Sequence, residues 1–227
     1  MNICTISTEN WLDNHCARWV RFARKSNPGA VLCLVCVSDN PAIAEHPIVT
    51  QFDKVEVYHE KDNNRDFYNT VRMGAIDIFE VGEMVYCDCD ADILQSLEGV
   101  PELSEKRCCY CMSPTTNDEW RNYCREKKMD PWMANNGFLV MRGAMTFEYG
   151  EAMEEVKAAG MSERMRGTYA FNLMVRKYAE HCFALPERIS EIWWDADKMM
   201  DSRIIQYCGK GQPKRLALEK EWRDCFA

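Results

Sequence analysis

Val85-Tyr86-Cys87-Asp88-Cys89-Asp90-Ala91-Asp92-Ile93-Leu94 joins an apolar strand directly to three alternating carboxylates. Side chains two positions apart on an extended chain point to the same face, so two of these carboxylates can hold one divalent cation. A solvated acidic turn is the alternative. A calcium-binding EF-hand loop starting at Asp88 is excluded, because it requires glycine and glutamate where Ile93 and Gly99 stand, and it follows a helix.

Strand and helix patterns alternate on both sides of this stretch. The patterns predict strands over residues 3–7, 31–37, 84–87, 137–141 and about 203–207. They predict helices over residues 10–25, 67–79, 118–128, 146–158 and 169–181. This alternation favours an α/β, Rossmann-like fold with a mostly parallel mixed sheet and helices on both faces. Ligands of such sheets bind at the carboxyl ends of the strands.

The composition is that of a folded globular protein, with 227 residues, 47% hydrophobic and 28% charged. We expect a single domain over residues 1–227. The net charge of −8 argues against broad nucleic-acid binding, which requires clustered Lys and Arg. The longest apolar run covers only residues 30–37, so we expect no integral membrane segment. Because no secretory signal is visible, we expect a cytoplasmic location.

The 13 cysteines are an odd number for a disulfide framework, and several lie inside apolar strand patterns. Cys33 and Cys36 have redox-motif spacing but fall within a predicted strand rather than at a helix start. A zinc site near Cys87 and Cys108 lacks the usual two-residue spacing between ligands. We therefore expect reduced thiols in the core.

Further motifs lie in order around the aspartates. A Thr/Ser-rich turn covers residues 5–11, and Arg72 stands sixteen residues before Asp88. Asn135-Asn136-Gly137 opens a strand. Within residues 206–214, Gly209 and Pro213 have the spacing of a C-terminal motif in the family named next. In this order the sequence resembles the retaining glycosyltransferases that include glycogenin and the bacterial lipopolysaccharide galactosyltransferases. The resemblance covers most of the chain.

The resemblance implies a GT-A fold and transfer of a sugar, with retention of configuration, from a nucleotide diphosphate sugar to an unidentified acceptor. The expected donor is a UDP-sugar. Mn²⁺ or Mg²⁺ is the expected cofactor, bound by Asp88, Asp90 and Gln206, where it would stabilise the departing diphosphate. Residues 203–227 are expected to close over the donor site. The implied donor-binding residues are Ile6, Ser7, Thr8, Trp11, Arg72, Cys89, Asn135, Gly209, Lys210 and Lys214.

Two departures from the family pattern favour an alternative function. Gln206 stands where the family has a histidine, and Gly167-Thr168 or Thr168-Tyr169 stands where it has an Asp-Gln pair on the donor-sugar side. These replacements favour a non-catalytic relative that binds nucleotide sugars. A sugar-phosphate nucleotidyltransferase ranks lower, because the turn after the first strand has neither the glycine nor the arginine that such enzymes use to hold a triphosphate.

Overall fold

The computed structural model of the protein describes residues 1–59, 65–113, 116–186, 189–192 and 202–206, in which strands and helices alternate. The helices are α1 (Ala17–Ser26), α2 (Arg65–Ile78), α3 (Asp118–Lys127), α4 (Thr146–Ala158) and α5 (Arg166–Lys177). The strands are β1 (Asn2–Thr8), β2 (Val31–Val37), β3 (Lys54–Tyr58), β4 (Met84–Cys87), β5 (Ala91–Ile93), β6 (Cys108–Ser113), β7 (Met133–Met141), β8 (Cys182–Ala184), β9 (Ser190–Ile192) and β10 (Ile204–Gln206).

The main sheet has seven strands in the order β3-β2-β1-β4-β7-β6-β8. β7 runs antiparallel to β4 and to β6, and the other neighbouring pairs are parallel. A second sheet has the order β5-β10-β9, with β10 antiparallel to β5 and parallel to β9. The prediction of a mostly parallel mixed sheet is confirmed.

Helices cover both faces of the main sheet, as the sequence predicted. In β2, Leu34 belongs to the core cluster that contains Trp19 of α1. The next residue, Val35, belongs to the opposite cluster, with Ile76 of α2 and Val156 of α4. This alternation follows from the two-residue period of a strand buried on both faces. None of the helices in the described part of the chain is long and apolar enough to span a bilayer.

The segment after β1 differs from the single helix predicted over residues 10–25. A 3₁₀ turn over Glu9–Trp11 and a π-helical turn over Leu12–Cys16 precede α1. The π-turn buries Leu12 and Cys16, whereas Trp11 remains 41% exposed. Local π geometry often occurs beside functional sites, and here it leaves an exposed aromatic ring at the carboxyl end of β1.

The cysteines behave as the sequence predicted, because those in the described part of the chain are buried and carry thiols rather than disulfides. Cys33 and Cys36 lie in β2, where burial raises the pKa of each thiol to about 11. At neutral pH both are therefore protonated. This argues against a thiolate-based redox function for the pair.

The third carboxylate of the acidic stretch has a structural role. Asp92 lies in β5, is fully buried, and forms an ion pair with Arg18 of α1. Arg18 Nε donates to Asp92 Oδ1 at 2.8 Å and Nη2 donates to Oδ2 at 2.6 Å. This two-pronged contact fixes β5, and with it the turn that carries Asp88 and Asp90, against the first helix.

Asp92→Asn is expected to lower the free energy of unfolding by about 3–5 kcal/mol, because it leaves the Arg18 charge buried without its carboxylate. The measurement is urea denaturation. Glu163→Gln is the control, because Glu163 is 89% exposed in its contact with Arg166, and it should change stability by less than about 1 kcal/mol. Equal losses in the two variants would contradict a stabilising role for the buried pair.

Candidate functional site

A cavity of about 400 Å³ opens at the carboxyl ends of β1 and β4. This volume lies within the range of small-molecule sites, roughly 300–1,000 Å³. Its position agrees with the rule that open α/β sheets bind ligands beyond the carboxyl ends of their strands. The residues that line it are Ile6, Ser7, Thr8, Asn10, Trp11, Tyr68, Arg72, Tyr86, Asp88, Cys89 and Asp90.

The turn after β1 forms one wall of the cavity and is tied to the end of β2. Glu9 accepts hydrogen bonds from Ser38 Oγ at 2.6 Å and from Asn40 Nδ2 at 3.1 Å. The bond from Ser38, followed by that from Asn40, lowers the pKa of the Glu9 carboxyl. Trp11 follows two residues later, with its ring centre 4.4 Å from that of His15. The turn therefore presents an aromatic surface to the cavity.

Asp88 accepts hydrogen bonds from side chains of three different elements. Its Oδ1 accepts from Arg72 Nη2 at 2.8 Å and from the Tyr86 hydroxyl at 2.6 Å. Its Oδ2 accepts from Gln206 Nε2 at 2.9 Å. The backbone N–H of Asp88 donates to the carbonyl of Gly137 at 2.8 Å, which joins the end of β4 to β7.

The neighbours of Asp88 are held in the protonation states that these contacts require. Burial raises the pKa of the Tyr86 phenol well above its ordinary value, which outweighs the opposing effect of Arg72, so the hydroxyl stays protonated and donates. Burial alone would lower the pKa of Arg72, but the Asp88 carboxylate raises it above its ordinary value. The guanidinium carbon also lies 4.9 Å from the centre of the Tyr86 ring, a cation–π distance.

Asn135 and Gln206 lie behind Asp88 rather than in the cavity wall. Both are buried, with 8% and 4% of their surfaces exposed. Asn135 Nδ2 donates to Gln206 Oε1 at 2.6 Å, and Asn135 Oδ1 accepts from the Gly137 N–H at 2.8 Å. A Cβ atom at Gly137 would lie 1.8 Å from Gln206 Nε2, so glycine is required for this close approach.

Two carboxylates of the cavity suit a divalent cation. Asp88 and Asp90 line the same space and supply the hard oxygen ligands that Mg²⁺ and Mn²⁺ accept. Within the described ranges, no group of three or more His, Cys, Asp or Glu side chains could hold a metal. Such a cation would therefore take its other ligands from water and from a bound phosphate, which is common for Mg²⁺.

The structure brings most of the sequence-predicted site residues together. Eight of them line the cavity: Ile6, Ser7, Thr8, Trp11, Arg72, Asp88, Cys89 and Asp90. Asn135 and Gln206 contact this group from behind. Gly209, Lys210 and Lys214 lie outside the described residues, as does most of the segment 203–227 that was expected to close over the site.

Three lining residues were not among the predicted site residues: Asn10, Tyr68 and Tyr86. A signal for Tyr68 was present, because it stands four residues before Arg72 and therefore shares its face of α2. Tyr86 belongs to an apolar strand, and its hydroxyl meets Asp88 because residues two apart share a face.

The first turn of α5 holds Gly167 and Thr168, where the sequence resemblance implied an Asp-Gln pair. Gly167 is buried there, and a Cβ atom at this position would lie 2.0 Å from Nδ2 of Asn69. The amide of Asn69, one turn before Arg72 in α2, thus occupies the space beside Gly167. Neither Gly167 nor Thr168 provides a carboxylate at this point.

The chain has the GT-A fold of glycosyltransferases, which its solved structural neighbours share. One neighbour is the galactosyltransferase LgtC in complex with donor and acceptor sugar analogues, with a TM-score of 0.64 and 12% identity over 92% of this chain and 87% of that one. An active-site mutant of LgtC gives a TM-score of 0.65 and 13% identity over 98% and 99% of the two chains.

Mouse xyloside xylosyltransferase 1, in its apo form, gives a TM-score of 0.61 and 10% identity over 93% of this chain and 99% of that one. No family model matches the sequence, and no curated protein matches it significantly. At such low identities the likeness establishes the fold, and the chemistry has to be argued from the site.

Gly137→Ala is expected to lower the free energy of unfolding by about 1–3 kcal/mol, because the new methyl group displaces the Gln206 amide from its partners. Gly150→Ala is the matched control: Gly150 lies inside α4 with no atom within 4 Å of an added Cβ. Gly150→Ala should raise the free energy of unfolding by about 0.5–1 kcal/mol, because alanine has the better helix propensity. Urea denaturation measures both changes. If Gly137→Ala were as stable as Gly150→Ala, this result would contradict the close packing of Gln206 against Gly137 of β7.

Proposed function

We propose that this protein is a glycosyltransferase that transfers a sugar from a nucleotide diphosphate sugar, and specifically a UDP-sugar, to an acceptor. The observation that carries the proposal is the placement of Asp88 and Asp90 in one cavity with Trp11 and Arg72. The acidic pair suits a divalent cation that binds the diphosphate of such a donor. The exposed ring of Trp11 suits its nucleobase, and the guanidinium of Arg72 adds positive charge for its phosphates. The GT-A fold of the chain supports this assignment.

The aromatic wall is suited to the nucleobase end of the donor. Trp11 is 41% exposed at the cavity and can present its ring to a base. Thr8 and Ser7 precede it at the end of β1 and offer hydroxyl groups suited to hydrogen bonding with a ribose. Stacking of a base on an aromatic side chain stabilises a complex by about 1–3 kcal/mol.

The acidic wall is suited to the diphosphate end when a cation is present. Mn²⁺ or Mg²⁺, held by Asp88 and Asp90, would supply the positive charge that stabilises a departing diphosphate. Arg72 keeps Asp88 oriented through its hydrogen bond to Oδ1 and adds a fixed positive charge to the same wall. Lys210 and Lys214 remain proposed phosphate contacts from the C-terminal segment.

The proposed stereochemical outcome is retention at the anomeric carbon, and this part of the proposal rests on the sequence resemblance.

The first turn of α5 favours a second candidate function, binding of a nucleotide sugar without catalysis. Gly167 and Thr168 provide no carboxylate there, and the amide of Asn69 fills the space beside Gly167. This function requires the same donor site and differs only in the absence of turnover.

Wild-type protein is expected to bind UDP at least about tenfold more tightly with Mn²⁺ than with EDTA, since the cation bridges two acidic partners that otherwise repel each other. Asp90→Asn should remove this dependence, whereas Glu163→Gln, on the exposed surface, should keep it. Isothermal titration calorimetry with UDP measures the effect.

Equal affinity of the wild type for UDP in Mn²⁺ and in EDTA would contradict the proposed cation site. The same samples, incubated with a panel of UDP-sugars, distinguish the two candidate functions. Hydrolysis of one UDP-sugar that is lost in Asp90→Asn supports the glycosyltransferase. Tight binding without hydrolysis or transfer supports the non-catalytic function.

A further inference from the structure

Gln206 is a buried amide that joins the second sheet to the candidate site. It ends β10, is 4% exposed, and contacts Asp88 on one side and Asn135 on the other. The resemblance to the retaining glycosyltransferases implied that its amide oxygen ligates a metal. The contacts of the amide point to a different role, because its nitrogen rather than its oxygen faces Asp88.

A chain of hydrogen bonds fixes the orientation of this amide. The N–H of Gly137 can only donate, so Asn135 must face it with Oδ1, at 2.8 Å. Asn135 therefore turns Nδ2 toward Gln206, and Gln206 must accept this hydrogen bond through Oε1, at 2.6 Å. This leaves Nε2 of Gln206 for the carboxylate oxygen Oδ2 of Asp88, at 2.9 Å.

Reversal of a single amide in this chain is unfavourable. If Gln206 alone rotated, its Nε2 would face Nδ2 of Asn135, so that a donor would face a donor. Its Oε1 would face the Asp88 carboxylate, so that an acceptor would face an acceptor. If Asn135 rotated as well, its Nδ2 would face the N–H of Gly137. The backbone of β7 thus determines which atom Gln206 presents to Asp88, and buried mismatches of this kind cost about 1–3 kcal/mol each.

We infer that Gln206 is a positioning residue that orients Asp88 by donating a hydrogen bond, and that it supplies no oxygen to a cation. The inference deepens the proposed function and rests on it where the cation is concerned. Asp88 and Asp90 are then the protein ligands that the described residues offer, and phosphate and water oxygens complete the shell. Cation binding therefore depends on the nucleotide, and Mg²⁺ and Mn²⁺ are discriminated weakly because no nitrogen ligand takes part.

The test compares wild type with Gln206→Met and Gln206→Glu, and uses Asp90→Asn as the reference for loss of a ligand. Calorimetry measures UDP affinity in Mn²⁺ and in Mg²⁺. Gln206→Met should weaken both affinities by the same factor, less than about tenfold, because Asp88 keeps its bonds from Arg72 and Tyr86. A loss of cation dependence in Gln206→Met as complete as in Asp90→Asn would overturn the inference.

Melting temperatures without nucleotide provide an independent reading. Without any cation, Gln206→Glu should melt below both wild type and Gln206→Met, because a second carboxylate then faces Oδ2 of Asp88. Mn²⁺ alone should raise the melting temperature of Gln206→Glu, in which a second carboxylate faces Oδ2 of Asp88, and leave that of wild type unchanged. Cation-free melting of Gln206→Glu at or above wild type would show that Gln206 does not donate to Asp88.

The two readings separate failure of this inference from failure of the proposed function. If wild type binds no UDP in either cation, the proposed function fails, and the cation-free order of melting temperatures still decides the orientation of Gln206. If Gln206→Met does not fold, the response of Gln206→Glu to Mn²⁺ alone decides in its place.

Discussion

The carboxylate of Asp88 is held by three parts of the chain that lie far apart in sequence. Arg72 reaches it from α2, Tyr86 from β4, and Gln206 from the second sheet. A carboxylate that is only 23% exposed loses much of its hydration, and these donors replace the water that it gives up. The end of β10, the guanidinium of Arg72 and the phenol of Tyr86, which burial keeps protonated, all donate hydrogen bonds to this one charge.

A turn after β4 explains how neighbouring carboxylates come to have different roles. Alternation in an extended strand would place Asp88, Asp90 and Asp92 on one face. The chain instead turns after β4, where the N–H of Ala91 donates to the carbonyl of Asp88 at 3.0 Å, and it enters a different sheet. Asp88 and Asp90 therefore line the cavity, while Asp92 is buried against Arg18.

Much of the fold could be predicted from hydrophobic periodicity. The predicted bounds of β2, β4 and α4 agree with the structure, because each is an apolar or amphipathic run between clear turn residues. Five strands were missed, namely β3, β5, β6, β8 and β9, although Lys54–Tyr58 alternates and Cys108–Ser113 is largely apolar. The antiparallel direction of β7 could not be predicted, because strand direction depends on connections across the sheet and not on the composition of the strand.

The candidate site was predictable in part. Local spacing predicted the two aspartates, and the resemblance added the turn after β1 and Arg72. The contact of Asn135 with Gln206 joins residues 71 positions apart, and no local pattern gives the direction of its hydrogen bonds. That direction depends on the N–H of Gly137 and becomes visible only when β7 and β10 lie side by side.

The central claim is that a nucleotide diphosphate binds in the cavity through a cation held by Asp88 and Asp90. The most direct measurement is a crystal structure of the wild-type protein with UDP and Mn²⁺, with anomalous diffraction to locate the metal. The account predicts an anomalous peak in contact with both carboxylates and with the diphosphate, and the uracil beside Trp11. UDP bound elsewhere, or a metal peak away from both aspartates, would contradict it.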